Sequence, residues 1–248
     1  MNTSTLNSII SSAQKGEKQL AILIDPDKAS DSYLELLIEK TAPLKVDLFL
    51  VGGSLLTDGD LRKTINKLKQ LTTKPVVIFP GSSNQIAEEA DAILFLSLLS
   101  SRNPEMLIGN QVIAAPYIKK TALEVISTAY LLIDSGAPTT ASYISNSSPI
   151  PANKSEIAAS TALAGQYMGM QITYLDGGSG AQNSIPTNLI EKVREYTNTP
   201  IIVGGGIRTA AQLNQAYEAG ADVVVIGDAF EKNDKLAKEL ASFRSANA

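Results

Sequence analysis

The segment Tyr174–Ala181, YLDGGSGA, sets one acid at the end of an apolar run and follows it with small residues only. A carboxylate at Asp176 can take a proton from a substrate hydroxyl, while Gly177, Gly178, Ser179 and Gly180 leave room for the substrate itself. The alternative role for Asp176 is to hold its own loop. Other apolar runs stop on similar residues: Asp25 in DPDK, Ser54 after a glycine pair, PGS ending at Ser82, Gly204–Gly206 before Ile207 and Arg208, and Gly227 with Asp228.

The last two of these fit a phosphate. Gly204, Gly205 and Gly206 precede a helix expected to begin near Thr209, and Gly227 precedes a short helical turn, so bare N–H groups and a helix N-terminus can meet an anion. Tight turns alone would also explain the glycines. Asp228 is unfavourable there, because a carboxylate about 5 Å from a phosphate costs a few kcal/mol at an effective dielectric constant of about 20. Its side chain is expected to point away while its N–H still binds.

Asp25 and Ser54 end neighbouring runs and offer only oxygen, which suits Mg²⁺ completed by water and a diphosphate. Their plain alternatives are caps of the turn and helix that follow. Asp27 and Lys28 have weaker claims, and Arg208, Lys119 and Lys120 could meet an anion but read more readily as solvated surface charges.

Composition narrows the chemistry further. The 248 residues contain no Cys and no His, which removes thiolate and imidazole chemistry and leaves acid-base work to Asp, Glu, Lys or Tyr. A net charge of −4 gives no reason to expect nucleic acid as a partner. The N-terminus lacks a signal-peptide pattern and no apolar run approaches a membrane span, so a cytoplasmic protein is expected, with at most transient contact at a membrane surface.

These residues need a frame that gathers strand ends. Eight short, continuously apolar runs (20–25, 47–53, 75–81, 92–97, 123–133, 172–178, 200–206 and 222–227) read as parallel strands covered on both faces. Helical segments lie between them, the last closing at Gly220. The alternation predicts α/β architecture: one (β/α)₈ TIM barrel over residues 1–248, with an open doubly wound sheet as the competitor. Only SSNQIAEEAD separates the third and fourth runs, too short for a full crossover, so the third helix is expected to be reduced or missing and an apolar groove to open there. Residues 134–154 read as a lid or binding loop, and residues 104–122 as an apolar helical or interface segment.

LIDPDK, VGGS, IFPGS, YLDGGSGA, PIIVGGGIRTAAQ and ADVVVIGDAFE, in this order, resemble the geranylgeranylglyceryl phosphate synthase and heptaprenylglyceryl phosphate synthase family, in its archaeal-type and Bacteroidetes-type branch. The resemblance covers nearly the whole chain. It implies a prenyltransferase of ether-lipid biosynthesis that joins sn-glycerol 1-phosphate to a polyprenyl diphosphate with Mg²⁺, on a barrel whose third helix is reduced, assembled as a homo-oligomer. Carried over by motif, Asp25 and Ser54 are metal positions. Tyr174, Leu175, Asp176, Gly177, Gly178, Ser179, Gly180, Gly205, Gly206, Gly227 and Asp228 are glycerol-phosphate positions, with Asp176 the base in place of the family's usual glutamate. Asp228 stands where related sequences carry a neutral residue. Another phosphate-barrel isomerase or lyase, and a noncatalytic phosphate- or lipid-binding protein, remain as alternatives.

Overall fold

The computed structural model describes residues 4–227, 237 and 239–241. The eight apolar runs are eight strands: β1 (Gln19–Ile24), β2 (Leu48–Val51), β3 (Val76–Ile78), β4 (Ala92–Leu98), β5 (Glu124–Leu132), β6 (Ile172–Asp176), β7 (Ile201–Gly204) and β8 (Val223–Ile226). They pair in sequence order, all parallel, and β1 closes on β8. The open-sheet alternative is thereby removed.

Continuous apolar runs are what such strands require, since side chains alternate between two buried layers. Ala21, Leu50, Val77, Leu94, Ile172 and Val225 fill the barrel interior. Their neighbours Ile22, Phe49, Ile78, Ile93 and Val224 pack outward under the helices. Both sets are withdrawn from water, each large side chain contributing roughly 1.5–3 kcal/mol.

The helices are α1 (Thr5–Lys15), α2 (Asp31–Thr41), α3 (Leu61–Leu71), α4 (Asn110–Ile118), α5 (Thr140–Ile144), α6 (Ser155–Tyr167), α7 (Thr187–Tyr196) and α8 (Ala210–Glu218). In α3, LRKTINKLKQL places Thr64, Ile65 and Leu68 on one face against the barrel while Lys63 and Lys69 face water, and Asp60 caps the first turn by accepting from the Lys63 N–H. Gly220 follows α8 with φ of 114°, a conformation that suits glycine just past a helix end. Sequence reasoning did not anticipate α1. Ser4 caps it, and Leu6 and Ile9 join the interior layer, while the Glu124 carboxylate accepts from the Thr5 and Leu6 N–H groups at 2.7 and 3.2 Å.

Acids also pin the strand starts. Asp47 Oδ2 accepts from the Leu20 N–H, Asp91 Oδ2 from the Val76 N–H and Asp222 Oδ2 from the Ile201 N–H, each at 2.8 Å. Each acid lies immediately before one strand and satisfies an N–H of the strand preceding it. These carboxylates stand at the end of the barrel opposite Asp25, Asp176 and the glycine turns, so stability and chemistry occupy opposite rims.

Residues 79–91 contain only turns and bends between β3 and β4, so no helix follows β3, as the short interval implied. Gln85 stitches this segment: the Gly81 N–H donates to its Oε1 at 2.9 Å, and its Nε2 donates to the Gly53 carbonyl at 3.2 Å. The loop after β5 carries α5, and a parallel bridge pairs Ile133 with Ile150 beyond it. Residues 105–109 form a single π turn that runs into α4.

Candidate active site

One cleft of ≈ 670 Å³ lies at the C-terminal mouth of the barrel, running from a polar end to an apolar arm. Asp176, the last residue of β6, stands between the two. It is 7% exposed. The Tyr130 hydroxyl of β5 donates to its Oδ2 at 2.6 Å, and the Gly178 N–H donates to Oδ1 at 2.8 Å. Asp176 therefore faces the cleft and also holds its own loop.

Burial pushes the Asp176 carboxyl above the usual carboxylate range, against the opposing pull of the Tyr130 and Gly178 hydrogen bonds. Burial, followed by the neighbouring Asp176 charge, holds the Tyr130 and Tyr174 phenols well above 10, so both stay protonated. The Phe79 ring stacks on Tyr174 with centroids 5.0 Å apart and meets Tyr130 edge-on at 5.8 Å. An aromatic wall thus borders the acid.

At the polar end, Gly178, Ser179, Gly180, Gly205, Gly206 and Gly227 line the cleft. Gly205 has φ of 86°, and a Cβ on it would lie 2.8 Å from the Gly177 backbone, so the turns after β6 and β7 touch through bare main chain. Thr209 caps α8, which starts at Ala210 as expected. Leu175, one of the motif positions, turns the other way: strand alternation buries its side chain in the layer beneath the helices, outside the cleft lining. Gly177 likewise lies behind the lining, its N–H donating to the Gly204 carbonyl at 3.0 Å. Asp228 falls outside the described residues.

Arg208 is exposed, as expected, and also lines the cleft, where its guanidinium donates to the Ala181 and Gln182 carbonyls, the latter at 2.7 Å. It clamps the loop that begins at Asp176. Lys119 and Lys120 are exposed, as expected.

Asp25 and Ser54 line the cleft at the ends of β1 and β2. Asp25 is also the cap of its DPD turn, accepting from the Asp27 N–H at 3.1 Å, and it pairs with Lys28 at 3.5 Å. Ser54 caps no helix; that place before α3 belongs to Asp60. Asp27 is a staple: its carboxylate accepts from the Thr57 hydroxyl and N–H and from the Gly59 N–H, at 2.9, 2.9 and 2.6 Å. Those bonds, led by the Thr57 N–H, hold its carboxyl below the usual range. Among the described residues no three acids converge on one point. Two oxygen donors on adjacent strand ends nevertheless fit Mg²⁺, which keeps most of its water and binds few protein groups.

The apolar arm passes over β4. Leu94, Leu96 and Leu98 line it from one strand face and Ile93 and Phe95 from the other, with Met106, Ala114 and Ile118 of the following segment completing the wall. A continuous apolar channel can cross the barrel wall here because no helix covers β3. Thr140, Ala141, Ile144 and Ser145 of the loop after β5 line the same cleft, so that loop is part of the site.

Tyr130, Phe79 and Gln85 were not singled out from sequence. The available signal for Tyr130 was the one aromatic residue in the run 123–133.

Residues 13–245 match the PcrB family. The chain is 48% identical to the geranylgeranylglyceryl phosphate synthase of Chitinophaga pinensis over 97% of its length and 96% of that protein. It is 41% identical to the enzyme of the same name from Thermococcus gammatolerans, covering 94% of this chain and 92% of that one. The crystal structure of (S)-3-O-geranylgeranylglyceryl phosphate synthase from Thermoplasma acidophilum in complex with sn-glycerol-1-phosphate superposes with a TM-score of 0.90 at 34% identity, over 98% of both chains.

Proposed function

The chain belongs to the PcrB family and is a prenyltransferase of ether-lipid biosynthesis; on that premise we propose how its own residues carry the reaction. The observation that carries the proposal is Asp176, a buried acid set between a glycine-lined polar end and an apolar arm of one cleft. The polar end suits sn-glycerol 1-phosphate, its phosphate against the N–H groups after β7 and β8 and the N-terminus of α8. The arm suits the polyprenyl chain.

In this reading Asp176 Oδ accepts the proton of the free terminal hydroxyl of the glycerol phosphate. That oxygen forms the ether bond to the allylic carbon, and the carbon–oxygen bond to diphosphate breaks with its electron pair leaving on diphosphate. Glycine N–H groups orient the acceptor and the apolar arm orients the donor, so much of the acceleration comes from holding both reactants together. Asp25 and Ser54 would hold Mg²⁺, which supplies positive charge for the departing diphosphate. The Phe79, Tyr130 and Tyr174 rings keep water from the reacting carbon.

We place the enzyme in the cytoplasm, since a chain without cysteine suits a reducing compartment. No described helix is long and apolar enough to cross a membrane. A homo-oligomer is supported by exposed Ile108, Val112, Ile113 and Tyr117 in and beside α4. The direct test supplies purified protein with sn-glycerol 1-phosphate, Mg²⁺ and polyprenyl diphosphates of increasing length, and measures ether product and released diphosphate. Product with at least one length is expected; none with any length overturns the reading.

A further inference from the structure

We propose that Tyr130 is a positioning residue for Asp176, fixing the carboxylate in the orientation from which it receives the substrate proton. The inference rests on the reading of Asp176 as the base. Its geometry is specific. One carboxylate oxygen is held by the loop through the Gly178 N–H, and the other by β5 through the Tyr130 hydroxyl, so bonds from two elements set the rotation of the group. The register puts Tyr130 opposite Tyr174 and Leu132 opposite Asp176, so the tyrosine reaches the acid diagonally from the neighbouring strand. The Tyr130 ring is itself fixed edge-on against Tyr174, centroids 5.6 Å apart, and against Phe79.

Two oxygens with one fixed donor each still have a lone pair apiece for a substrate hydroxyl. Without Tyr130 the acid keeps only its loop contact, at the very loop that must accommodate the substrate. The hydroxyl also favours the ionised form, opposing the burial that favours the neutral one. Removing it therefore raises the pH at which Asp176 becomes a competent base. Tyr174 stands beside Asp176 on its own strand, Asp25 and Arg208 line the same cleft from the β1 and β7 ends, and none of these changes when Tyr130 does.

The experiment compares wild type, Tyr130→Phe, Asp176→Asn and the double variant with sn-glycerol 1-phosphate and geranylgeranyl diphosphate across pH. Tyr130→Phe keeps the ring and its packing. It should lower kcat about tenfold or more at neutral pH, with KM for glycerol phosphate within about twofold, and shift the acid limb of kcat upward by about one pH unit. In the Asp176→Asn background the same change should cause no further loss, because both act through one group. A superimposable pH profile, or additive losses in the double variant, overturns the proposal. Should Tyr130→Phe fold poorly, a ring-fluorinated tyrosine at 130 keeps the shape and donates more strongly. The acid limb should then move downward, and an unmoved limb overturns the proposal equally. Absence of product with wild type would instead strike the functional reading itself.

Discussion

A methyl group on Gly178 would stand 2.6 Å from the Thr139 hydroxyl, so the glycine loop after β6 and the N-cap of α5 are in direct register. Thr139 caps α5 by accepting from the Ser142 N–H at 3.3 Å, and α5 lines the cleft. The acid, its loop and the covering helix form one contact chain. Gly178→Ala must both adopt φ near 82° and displace Thr139. We expect a stability loss of about 1–2 kcal/mol and a rise of about tenfold in KM for glycerol phosphate. Gly180→Ala is the control. Gly180 also has positive φ but meets nothing within 4 Å, so strain without displacement should leave KM nearly unchanged. Steady-state kinetics with thermal melts separate the two.

The Asp27 staple gives a second prediction. It ties the turn bearing Asp25 to the segment three residues beyond Ser54, so Asp27→Ala should loosen the spacing of the two oxygen donors without removing either. The Mg²⁺ concentration for half-maximal rate should rise about tenfold, the usual cost of losing a group that orients metal ligands. Asp25→Ala should abolish turnover at any attainable Mg²⁺. Titrating the rate with Mg²⁺ checks both, and full activity in excess chelator would remove the metal assignment.

The barrel was legible because its strands are continuous β-branched runs of the right length, and the missing helix because the interval after Gly81 is too short to hold one. Asp176 and the paired glycines were legible for a related reason: strand ends are where runs stop. Tyr130 was not, because its role depends on the register between β5 and β6, which joins residues 46 apart in sequence. Gln85 sits in a segment with no period to read. Leu175 was grouped with its motif neighbours although alternation along a strand sends it to the opposite face. Arg208 is exposed as its sequence context implied, but its clamp was not legible because the loop carbonyls it holds lie 26 or more residues away.

At the opposite rim, Asp222 accepts from the Ile201 N–H and the Arg194 guanidinium, with Lys18 contributing favourable charge. Asp222→Ala leaves a buried N–H and the guanidinium without this partner. The loss should be about 3 kcal/mol, lowering Tm by about 6–12 °C for a chain of this size. Turnover per folded molecule should not change, since no part of the cleft is touched. A fall in kcat at a temperature well below the transition would contradict the separation of the two rims.

The sharpest prediction concerns the acid itself. The Asp176 pKa is raised in the folded chain above its ordinary value of 3.8, chiefly by burial. A raised folded pKa means that the folded state binds the proton more tightly than the unfolded state does. The ionisation cost is therefore absent at pH below 3.8 and accumulates as pH rises through the folded value. At neutral pH the active carboxylate is destabilising, and a neutral isostere relieves that cost. Asp176→Asn retains an oxygen for the Gly178 N–H and an amide that the Tyr130 hydroxyl can accept from. It should melt no lower than wild type at neutral pH, its advantage growing as pH rises from 3.8 to the folded pKa and levelling off above that. Its kcat should nevertheless fall by roughly 10²–10⁴, the contribution of a positioned proton acceptor, with glycerol-phosphate binding intact. Asp176→Glu, which keeps the charge, should remain active and gain no stability. Calorimetry and single-turnover rates on the same preparations decide the matter: an Asn variant that melts lower and turns over normally would make Asp176 a loop anchor, with the proton going elsewhere.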